Sequence, residues 1–354
     1  MIKDEIYDCI VIGAGQSGLA CGYYLRRSKL KYLLLDKHTT PGGSWINTWD
    51  SLHLFSAAKH NALPGFPMPA SEDDYPSKNE VINYLKSYES KYSIPVERGQ
   101  CVEKISKGDN IFEIQTTERV YYSRTIISAT GTQDSPFIPD VTGRETFEGD
   151  QLHSSTYRSP EDYLGQHVLI VGDGNSGAQI FAELSKHTLC YWAVRKKPEF
   201  LPPDVDGKTL FDQASEIYKA RQKGEEVKQT VFNLGNIVQV PEVKEALQNG
   251  SMDEFGVIDH LERDGVVWSD GTRDTIDTII WCTGYNYSTS YLNELLNLDE
   301  RGRSETNNTA SQDQPGVWLV GYGGWTGMAS ATIIGVGRTA KRTVKEIESY
   351  IRSL

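Results

Sequence analysis

Two stretches of the chain carry the glycine spacing G-x-G-x-x-G, each directly after a short apolar run and before a helix-like pattern. Their glycines stand at matching positions: Gly13, Gly15, Gly18, Gly172, Gly174 and Gly177. In such a turn the first glycine permits a tight bend, the second lets the backbone approach a phosphate, and the third lets the helix pack on the strand. Backbone N–H groups at the start of the helix then face a pyrophosphate. The spacing therefore predicts two dinucleotide sites, in which Gln16, Ser17, Asn175 and Ser176 begin the two helices.

The residues that end the second strand of each copy differ in charge. Asp36 and Arg195 each lie 23 residues after the first glycine of their turn. A carboxylate at this position accepts hydrogen bonds from ribose hydroxyls, so Asp36, with Lys37 beside it, suits FAD or NADH. Arg195 and Lys196 would instead neutralise a 2'-phosphate, and because no acid stands at this position in the second copy, NADPH is favoured, with NADH as the alternative. A solvated basic turn is the competing interpretation of Arg195 and Lys196.

A strand that ends in Thr-Gly is also repeated, and it indicates which elements position the two turns. Residues 125–131 read TIISATG and residues 278–284 read TIIWCTG, so this repeat is offset by 153 residues and the glycine turns by 159. The repeat predicts an α/β fold with two Rossmann-like dinucleotide-binding domains, the second inserted in the first. We expect Thr283 and Gly284 to belong to the second site. The predicted boundaries are residues 1–150 and 276–354 for the FAD-binding domain, and 158–275 for the NADPH-binding domain.

The segment after the second repeat contains one further strand and a closing helix, which we expect to return to the first domain. The strand is the apolar run Val317 to Val320, and the helical pattern begins near Ser330. Its apolar positions recur at helical spacing: Ile333, Val336, Ala340 and Val344. Residues 201–251 have mixed charge and a helix-like pattern without a motif. They could cover an active site or form a homodimer contact.

Composition excludes several classes of function. Lys and Arg total 36 against 48 Asp and Glu, and the net charge of −12 would repel nucleic acid and acidic membrane surfaces. No apolar run reaches the twenty or so residues that span a bilayer, so a cytoplasmic protein without a membrane partner is expected. The five cysteines are scattered without C-x-x-C spacing and look like small apolar residues, and the seven histidines show no metal-ligand spacing. We therefore expect no metal site.

Four residues between the two repeats fit a family signature. Phe147, Gly149, His153 and Tyr157 match the F-x-G-x-x-x-H-x-x-x-Y identifying motif of the flavin-containing monooxygenases. With the two glycine turns on either side of it, the chain resembles that family, and its short bacterial members in particular, over nearly its whole length. Baeyer–Villiger relatives end this motif in Trp and Pro, whereas this chain has Tyr157 and Arg158, which resembles the heteroatom-oxygenating branch. A linker whose aromatic residues pack between domains is the alternative interpretation.

The resemblance implies further cofactor contacts. Gly43, Ser44 and Trp45 resemble the G-G-x-W segment beside the flavin, although Trp45 could equally be a core aromatic. The resemblance also assigns these residues to the FAD site: Ala129, Thr130 and Gly131 of an A-T-G segment, Val102 near the adenine, and Tyr322 in a turn near the ribitol. Phe55 stands where larger members have an Asn beside the flavin C4a atom, and it is the candidate catalytic residue.

The resemblance implies an FAD-dependent, NADPH-consuming monooxygenase that acts on a small-molecule substrate and O2. In that family NADPH reduces FAD, oxygen adds at C4a, and the hydroperoxyflavin passes one oxygen to a soft nucleophile such as sulfur or nitrogen. One alternative is an NAD(P)H-dependent flavoprotein reductase that hands electrons to a quinone or a protein carrier; the missing C-x-x-C disfavours a disulfide acceptor. Another is a redox-sensing flavoprotein that binds nucleotides without turnover.

Overall fold

The computed structural model describes residues 5–71, 73, 75–223 and 236–354. The chain forms two compact units: unit 1 comprises Met1–Ile46, Ser56–Ser135 and Asn286–Leu354, and unit 2 comprises Asn47–Phe55 and Pro136–Tyr285. Of the segment 201–251, predicted either to cover an active site or to form a dimer contact, residues 224–235 lie outside the described part.

Unit 1 is built on a sheet with five parallel strands and two short antiparallel strands at one edge. From that edge the order is Thr306–Asn307, Ala310–Ser311, Val317–Leu319, Ile126–Ser128, Cys9–Ile12, Tyr32–Asp36 and Val96–Arg98. The inner strands read as continuous apolar runs because a parallel sheet is covered on both faces. All four residues of Cys9–Ile12 are buried.

A second sheet and three α-helices complete the described part of unit 1. The sheet contains Ile6–Tyr7, Val120–Ser123, Phe112–Thr116 and Val102–Lys107 in that order, and a separate hairpin pairs Ala62–Leu63 with Phe66–Pro67. The α-helices are Gln16–Leu25, Lys78–Lys91 and Ile333–Ser353. Ser77 and Glu80 form a reciprocal capping box at the start of Lys78–Lys91.

The closing helix begins at Ile333, three residues later than the apolar spacing predicts. Thr332 is its N-cap, and its side chain accepts a 3.0 Å hydrogen bond from the Gly335 amide. Thr332 itself is extended, with a φ of −97° and a ψ of 153°, which explains why the helix does not extend back through it to Ser330. The predicted apolar positions from Ile333 to Val344 are buried.

Unit 2 contains a four-stranded parallel sheet and a three-stranded antiparallel sheet among its described residues. The parallel strands, in order, are Asp150–His153, Thr278–Trp281, His167–Val171 and Leu189–Ala193. The antiparallel strands are Ile258–Glu262, Gly265–Trp268 and Arg273–Thr275. The α-helices are Asn175–Leu184, Gly207–Lys223 and Pro241–Gln248. The described residues of both units also form short 3₁₀ helices, which are Gly43–Asn47, Ala58–His60, Arg144–Thr146, Pro160–Tyr163, Ser290–Leu292 and Gly323–Trp325.

The predicted domain boundaries at residues 150 and 276 are wrong. Residues 136–150 and 276–285 belong to unit 2, as do residues 47–55. The physical reason is strand pairing: Asp150–His153 and Thr278–Trp281 lie side by side, and Thr278–Trp281 also pairs with His167–Val171. The second Thr-Gly strand is therefore an inner strand of unit 2, which its sequence alone does not reveal.

Candidate functional site

A cavity in unit 1 opens at the carboxyl ends of the parallel strands. It is lined by the first glycine turn, by the ends of the strands Tyr32–Asp36 and Ile126–Ser128, and by the turn at Gly43. Twelve of the residues predicted to bind a cofactor line it: Gly13, Gly15, Gln16, Ser17, Asp36, Lys37, Gly43, Ser44, Val102, Ala129, Thr130 and Gly131. The parallel sheet thus brings together side chains that are far apart in the sequence.

The glycines of the first turn differ in what they do. Gly13 has a φ of 96°, and a Cβ there would lie 2.6 Å from the Ala129 carbonyl oxygen. A Cβ on Gly18 would lie 1.9 Å from the Gly13 carbonyl oxygen, so Gly18 sets the packing of the turn and does not line the cavity. At Gly15 a Cβ would meet only ordinary contacts, the nearest being the Gly43 Cα at 3.6 Å. The turn is therefore fixed by Gly13 and Gly18, while Gly15 borders the open cavity.

Asp36 is 4% exposed and accepts hydrogen bonds on both oxygens. Its Oδ2 accepts from the Ala14 amide at 2.6 Å, and its Oδ1 accepts from the His38 amide at 2.8 Å. The Arg98 guanidinium lies 3.5 Å from Oδ1. Burial alone would raise the pKa of this carboxyl, but hydrogen bonds from His38 and Ala14, together with Arg98, lower it overall. Asp36 is therefore held as an anion in the cavity.

The partners of Asp36 were not identified from the sequence. His38 follows Asp36 by two residues, which is a common spacing for a side chain that accepts from the backbone and could have been recognised. Arg98 is the register partner of Asp36 on the adjacent strand Val96–Arg98, and only the pairing of the strands shows it. Lys37, which also lines the cavity, is ion-paired with Asp134.

Tyr322, predicted to contact the cofactor, does not line this cavity. It is 2% exposed, and its hydroxyl lies 2.8 Å from Thr130 Oγ1 and within hydrogen-bond distance of Ser128 Oγ. Tyr291, which does line the cavity, is 2.6 Å from Ser128 Oγ through its own hydroxyl. Burial raises the pKa of Tyr322 and of Tyr291, so both stay protonated. These hydroxyls hydrogen-bond Ser128 and Thr130 and thereby stabilise the A-T-G segment.

Trp45 also acts from outside the cavity wall. Its indole Nε1–H donates to Gln16 Oε1 at 3.1 Å, and Gln16 in turn donates to the Ala331 carbonyl. Gln16 and Ala331 line the cavity, whereas Trp45 does not. Trp45 therefore orients Gln16 and is neither a direct lining residue nor a plain core aromatic.

The second glycine turn borders a separate cavity in unit 2. Five of the residues predicted for this site line it: Gly172, Gly174, Arg195, Thr283 and Gly284. The other four, Asn175, Ser176, Gly177 and Lys196, do not. Asn175 Oδ1 accepts from the Val238 amide at 2.8 Å, and a Cβ on Gly177 would lie 2.4 Å from the Gly172 carbonyl oxygen. Asn175 and Gly177 thus have structural contacts, and Lys196 is exposed.

Gly172 and Gly174 repeat the division of roles seen in the first turn. Gly172 has a φ of 146°, and a Cβ there would lie 2.3 Å from the Cys282 carbonyl oxygen. At Gly174 a Cβ would meet nothing within 4 Å. Because a β-carbon at Gly174 would fit the fold, the lack of one leaves room for a ligand at the start of the helix Asn175–Leu184.

The second site holds a carboxylate, although Arg195 stands where the first copy has Asp36. Asp173, the residue between the two glycines, lines the cavity and forms an ion pair with Arg195 at 3.1 Å. The Asp173 side chain is 17% exposed and the Arg195 side chain 89%. Asp140 and Asp259 also line the cavity. The carboxylate is supplied by the turn, and not by the position that matches Asp36 of the first copy.

The residues of the family motif are structural residues of unit 2, and Phe147, His153 and Tyr157 are buried. Phe147 belongs to a hydrophobic cluster, and the Tyr157 hydroxyl donates to Glu183 Oε2 at 2.7 Å. His153 Nε2 lies 2.9 Å from the carbonyl oxygen of Gly284, a residue of the second cavity, and burial lowers the pKa of His153. Gly149 is required by packing, since a Cβ there would lie 2.4 Å from the Asp277 carbonyl oxygen. Through the contact of His153 with Gly284, the motif therefore stabilises the end of the second Thr-Gly strand.

Phe55 lines neither of the two cavities. Its side chain is 38% exposed, and its carbonyl accepts a 2.7 Å hydrogen bond from the Gly207 amide. A Cβ on Gly207 would lie 2.5 Å from the Phe55 ring, so this ring packs closely on the start of the helix Gly207–Lys223.

The cysteines differ in environment. Cys9, Cys21 and Cys282 are buried, and burial raises the pKa of the Cys9 thiol to about 12. The expectation that all five are apolar packing residues is wrong for Cys101, which is exposed and lines the first cavity. Within the described residues there is no group of three or more His, Cys, Asp or Glu that could hold a metal ion. In the same part of the chain, every helix is too short or too polar to cross a membrane.

Comparison with known proteins agrees with these features. A family model described as pyridine nucleotide-disulphide oxidoreductase matches residues 10–208. The chain is 32% identical over 345 residues to the uncharacterized oxidoreductase CzcO of Bacillus subtilis. The match covers 97% of this chain and 99% of that protein. It is 40% identical to the flavin-containing monooxygenase from Stenotrophomonas maltophilia, with a TM-score of 0.89 over 98% of this chain and 99% of that structure. A doubly substituted variant of that enzyme gives 41% identity and a TM-score of 0.90 over the same shares.

These likenesses extend over almost the whole chain, and they confirm the resemblance that the motifs indicated and the α/β class of the fold. The chain belongs to the pyridine nucleotide-disulphide oxidoreductase family and, within it, to the flavin monooxygenases, whose members are oxidoreductases that use FAD and NADPH.

Proposed function

We propose that this protein is a monooxygenase in which unit 1 binds FAD and unit 2 binds NADPH, each in a Rossmann-like dinucleotide-binding domain. The observation that carries the proposal is the pair of matching cavities at the carboxyl ends of two parallel sheets, each bordered by a G-x-G-x-x-G turn. In parallel α/β folds, ligands bind at this edge of the sheet.

The residues of the first cavity fit FAD. Gly15 borders open space at the start of the helix Gln16–Leu25, so backbone amides there can approach a pyrophosphate. Asp36 is held as an anion whose carboxylate still has acceptor capacity for ribose hydroxyls. The exposed Cys101 and the adjacent Val102 line the cavity, and the neighbouring Gln100 amide donates to the Asp36 carbonyl at 2.9 Å, so an adenine would bind on this side.

The residues of the second cavity fit a nicotinamide dinucleotide. Gly174 leaves room for phosphates at the start of the helix Asn175–Leu184, and Arg195 is exposed enough to turn toward a 2'-phosphate. Arg195 supports NADPH as the reductant because a guanidinium binds phosphate with charge-assisted hydrogen bonds.

When bound, FAD supplies the redox and oxygen chemistry, with NADPH as the two-electron donor and with one atom of O2 transferred to a sulfur or nitrogen of a small molecule while the other leaves as water. The chain's own residues bind and orient. Trp45 fixes Gln16, Tyr322 fixes Thr130, and His153 fixes Gly284, so both cavity walls are set by partly buried hydrogen bonds.

The proposal is tested by mixing the purified protein with FAD, NADPH, oxygen and a simple thioether, then measuring sulfoxide and hydrogen peroxide. We expect sulfoxide in proportion to the NADPH consumed. Arg195→Ala serves as a control, because it should raise the Michaelis constant for NADPH about tenfold, through loss of one charge-assisted contact, and change that for NADH much less. Peroxide alone across a panel of thioethers and amines would contradict the proposal, and rapid quinone reduction without oxygenated product would indicate a reductase.

A further inference from the structure

We infer that Asp173 is a specificity-determining residue of the nicotinamide site, where it holds Arg195 and thereby weakens the preference for NADPH so that NADH is also used. The inference rests on the proposed function of unit 2. It concerns a residue that lies between the two glycines of the turn and has no counterpart in the first copy, where Ala14 stands at that position.

Arg195 donates from a guanidinium nitrogen to Asp173 Oδ1 at 3.1 Å. Arg195 is the cation that would read a 2'-phosphate, and in this arrangement its charge is already paired with a carboxylate. A dinucleotide without the 2'-phosphate leaves the pair intact, whereas NADPH must draw the guanidinium away or share it.

Among the described residues, Asp173 has no other hydrogen-bond donor to its carboxylate when Arg195 turns away. Asp173 Oδ2 is buried and finds no hydrogen-bond donor in the described part of the chain. Without Arg195, the carboxylate would have neither a donor on Oδ2 nor one on Oδ1, and a largely buried charge without partners is costly. Binding of NADPH therefore carries a penalty that binding of NADH avoids.

The described lining of the cavity carries a net negative charge. Asp173, Asp140 and Asp259 line it, and Arg195 is the cation among its lining residues in the described ranges. Lys196, which the sequence suggested as a second phosphate ligand, is exposed and does not line the cavity. A phosphate dianion placed there meets an excess of carboxylates, and Asp173 is the carboxylate paired with the phosphate-binding guanidinium.

The test is the affinity of the FAD-loaded protein for NADP⁺ and for NAD⁺, measured by isothermal titration calorimetry. Asp173→Asn keeps the shape of the side chain and removes its charge. We expect the ratio of NAD⁺ to NADP⁺ dissociation constants to rise about fivefold, the change expected for releasing a partly exposed ion pair. The matched control is Asp259→Asn, which removes the same charge from the same cavity. The Asp259 side chain contacts the His260 ring and not Arg195, so the ratio of dissociation constants should change much less in this variant.

Each outcome bears on a different claim. An unchanged ratio in Asp173→Asn, or an equal rise in Asp259→Asn, would overturn the inference while leaving the proposed function intact. Failure of the wild-type protein to bind either dinucleotide would refute the proposed function and the inference with it. Asp173→Ser, checked by its melting temperature, provides a second variant should Asp173→Asn fold poorly, and the same rise in the ratio is expected of it.

Discussion

Asp36 Oδ2 accepts a 2.6 Å hydrogen bond from the amide of Ala14, so the strand Tyr32–Asp36 is tied directly to the first glycine turn. The bond means that the carboxylate has two tasks, to hold the turn and to present acceptor oxygens to a ribose. All of its contacts in the described residues, from Ala14, His38 and Arg98, come from donors.

Asp36→Asn should lower the free energy of unfolding even without cofactor, because the new amide group must face a donor on one side. We expect a loss of about 1–3 kcal/mol, the cost of leaving a buried donor unsatisfied, in urea denaturation of the apoprotein. Asp134→Asn is the control: it removes an exposed carboxylate from the same cavity and should cost less than about 1 kcal/mol. Equal losses in the two variants would show that the Asp36–Ala14 bond has no special role.

His153 should make stability depend on pH. Burial lowers the pKa of His153 below its ordinary value of 6.5, so the unfolded chain binds a proton near that pH while the folded chain does not. The free energy of unfolding should therefore fall as pH drops below about 6.5 toward the lower folded pKa, by at most about 1.4 kcal/mol per pH unit.

The measurement for His153 is urea denaturation at pH 7.5 and pH 5.5 for wild type and His153→Gln. The glutamine can still donate to the Gly284 carbonyl but does not titrate, so the wild-type advantage should shrink at the lower pH. His260→Gln, at a partly exposed histidine, is the comparison variant. Parallel pH curves for wild type and His153→Gln would contradict the assignment.

Gly172 and Gly174 should separate folding from nucleotide binding. Gly174→Ala adds a methyl group where the fold leaves room, so the melting temperature should stay close to that of wild type while the dissociation constant for NADPH rises about tenfold through crowding of the phosphates. Gly172→Ala should instead lower the melting temperature, since its methyl group would overlap the Cys282 carbonyl. Unaltered NADPH affinity in a well-folded Gly174→Ala protein would argue against this turn as the phosphate site.

Tyr322→Phe should weaken both unit 1 and flavin retention. It removes the hydroxyl that bonds Thr130 and Ser128, and because Ser128 keeps Tyr291 and Thr130 keeps the Ser288 carbonyl, we expect a cost of about 0.5–1.5 kcal/mol, that of the lost hydrogen bonds. Tyr287→Phe is the matched control, because the Tyr287 ring packs on Tyr322 but its hydroxyl makes no hydrogen bond within the described residues. Differential scanning calorimetry and the flavin content after gel filtration give the two readouts, and similar behaviour of the two variants would count against a supporting role for Tyr322.

The sequence predicted the parts of the sites that depend on local geometry. Glycine spacing after a strand is a local signal, and the structure has both turns at the carboxyl ends of parallel strands. The position of Asp36 follows from the length of one strand–helix–strand unit, and so does that of Arg195. These features could be read without knowing how the strands pair.

What depends on pairing between distant segments could not be read. The boundary at residue 276 failed because the apolar strand Thr278–Trp281 has no local sign of which sheet it joins. Arg98 reaches Asp36 only through the register of adjacent strands. The resemblance places Tyr322 and Trp45 at the cofactor. In the structure neither lines the cavity, and each hydrogen-bonds a residue that does, Thr130 and Gln16 respectively.

The central claim is tested most directly by the absorbance of the purified protein before and after NADPH is added without oxygen. The account predicts a yellow protein with bound FAD whose flavin absorbance is bleached by NADPH and restored by air. A colourless protein that takes up no added FAD, or a flavin absorbance that NADPH leaves unchanged, would contradict it.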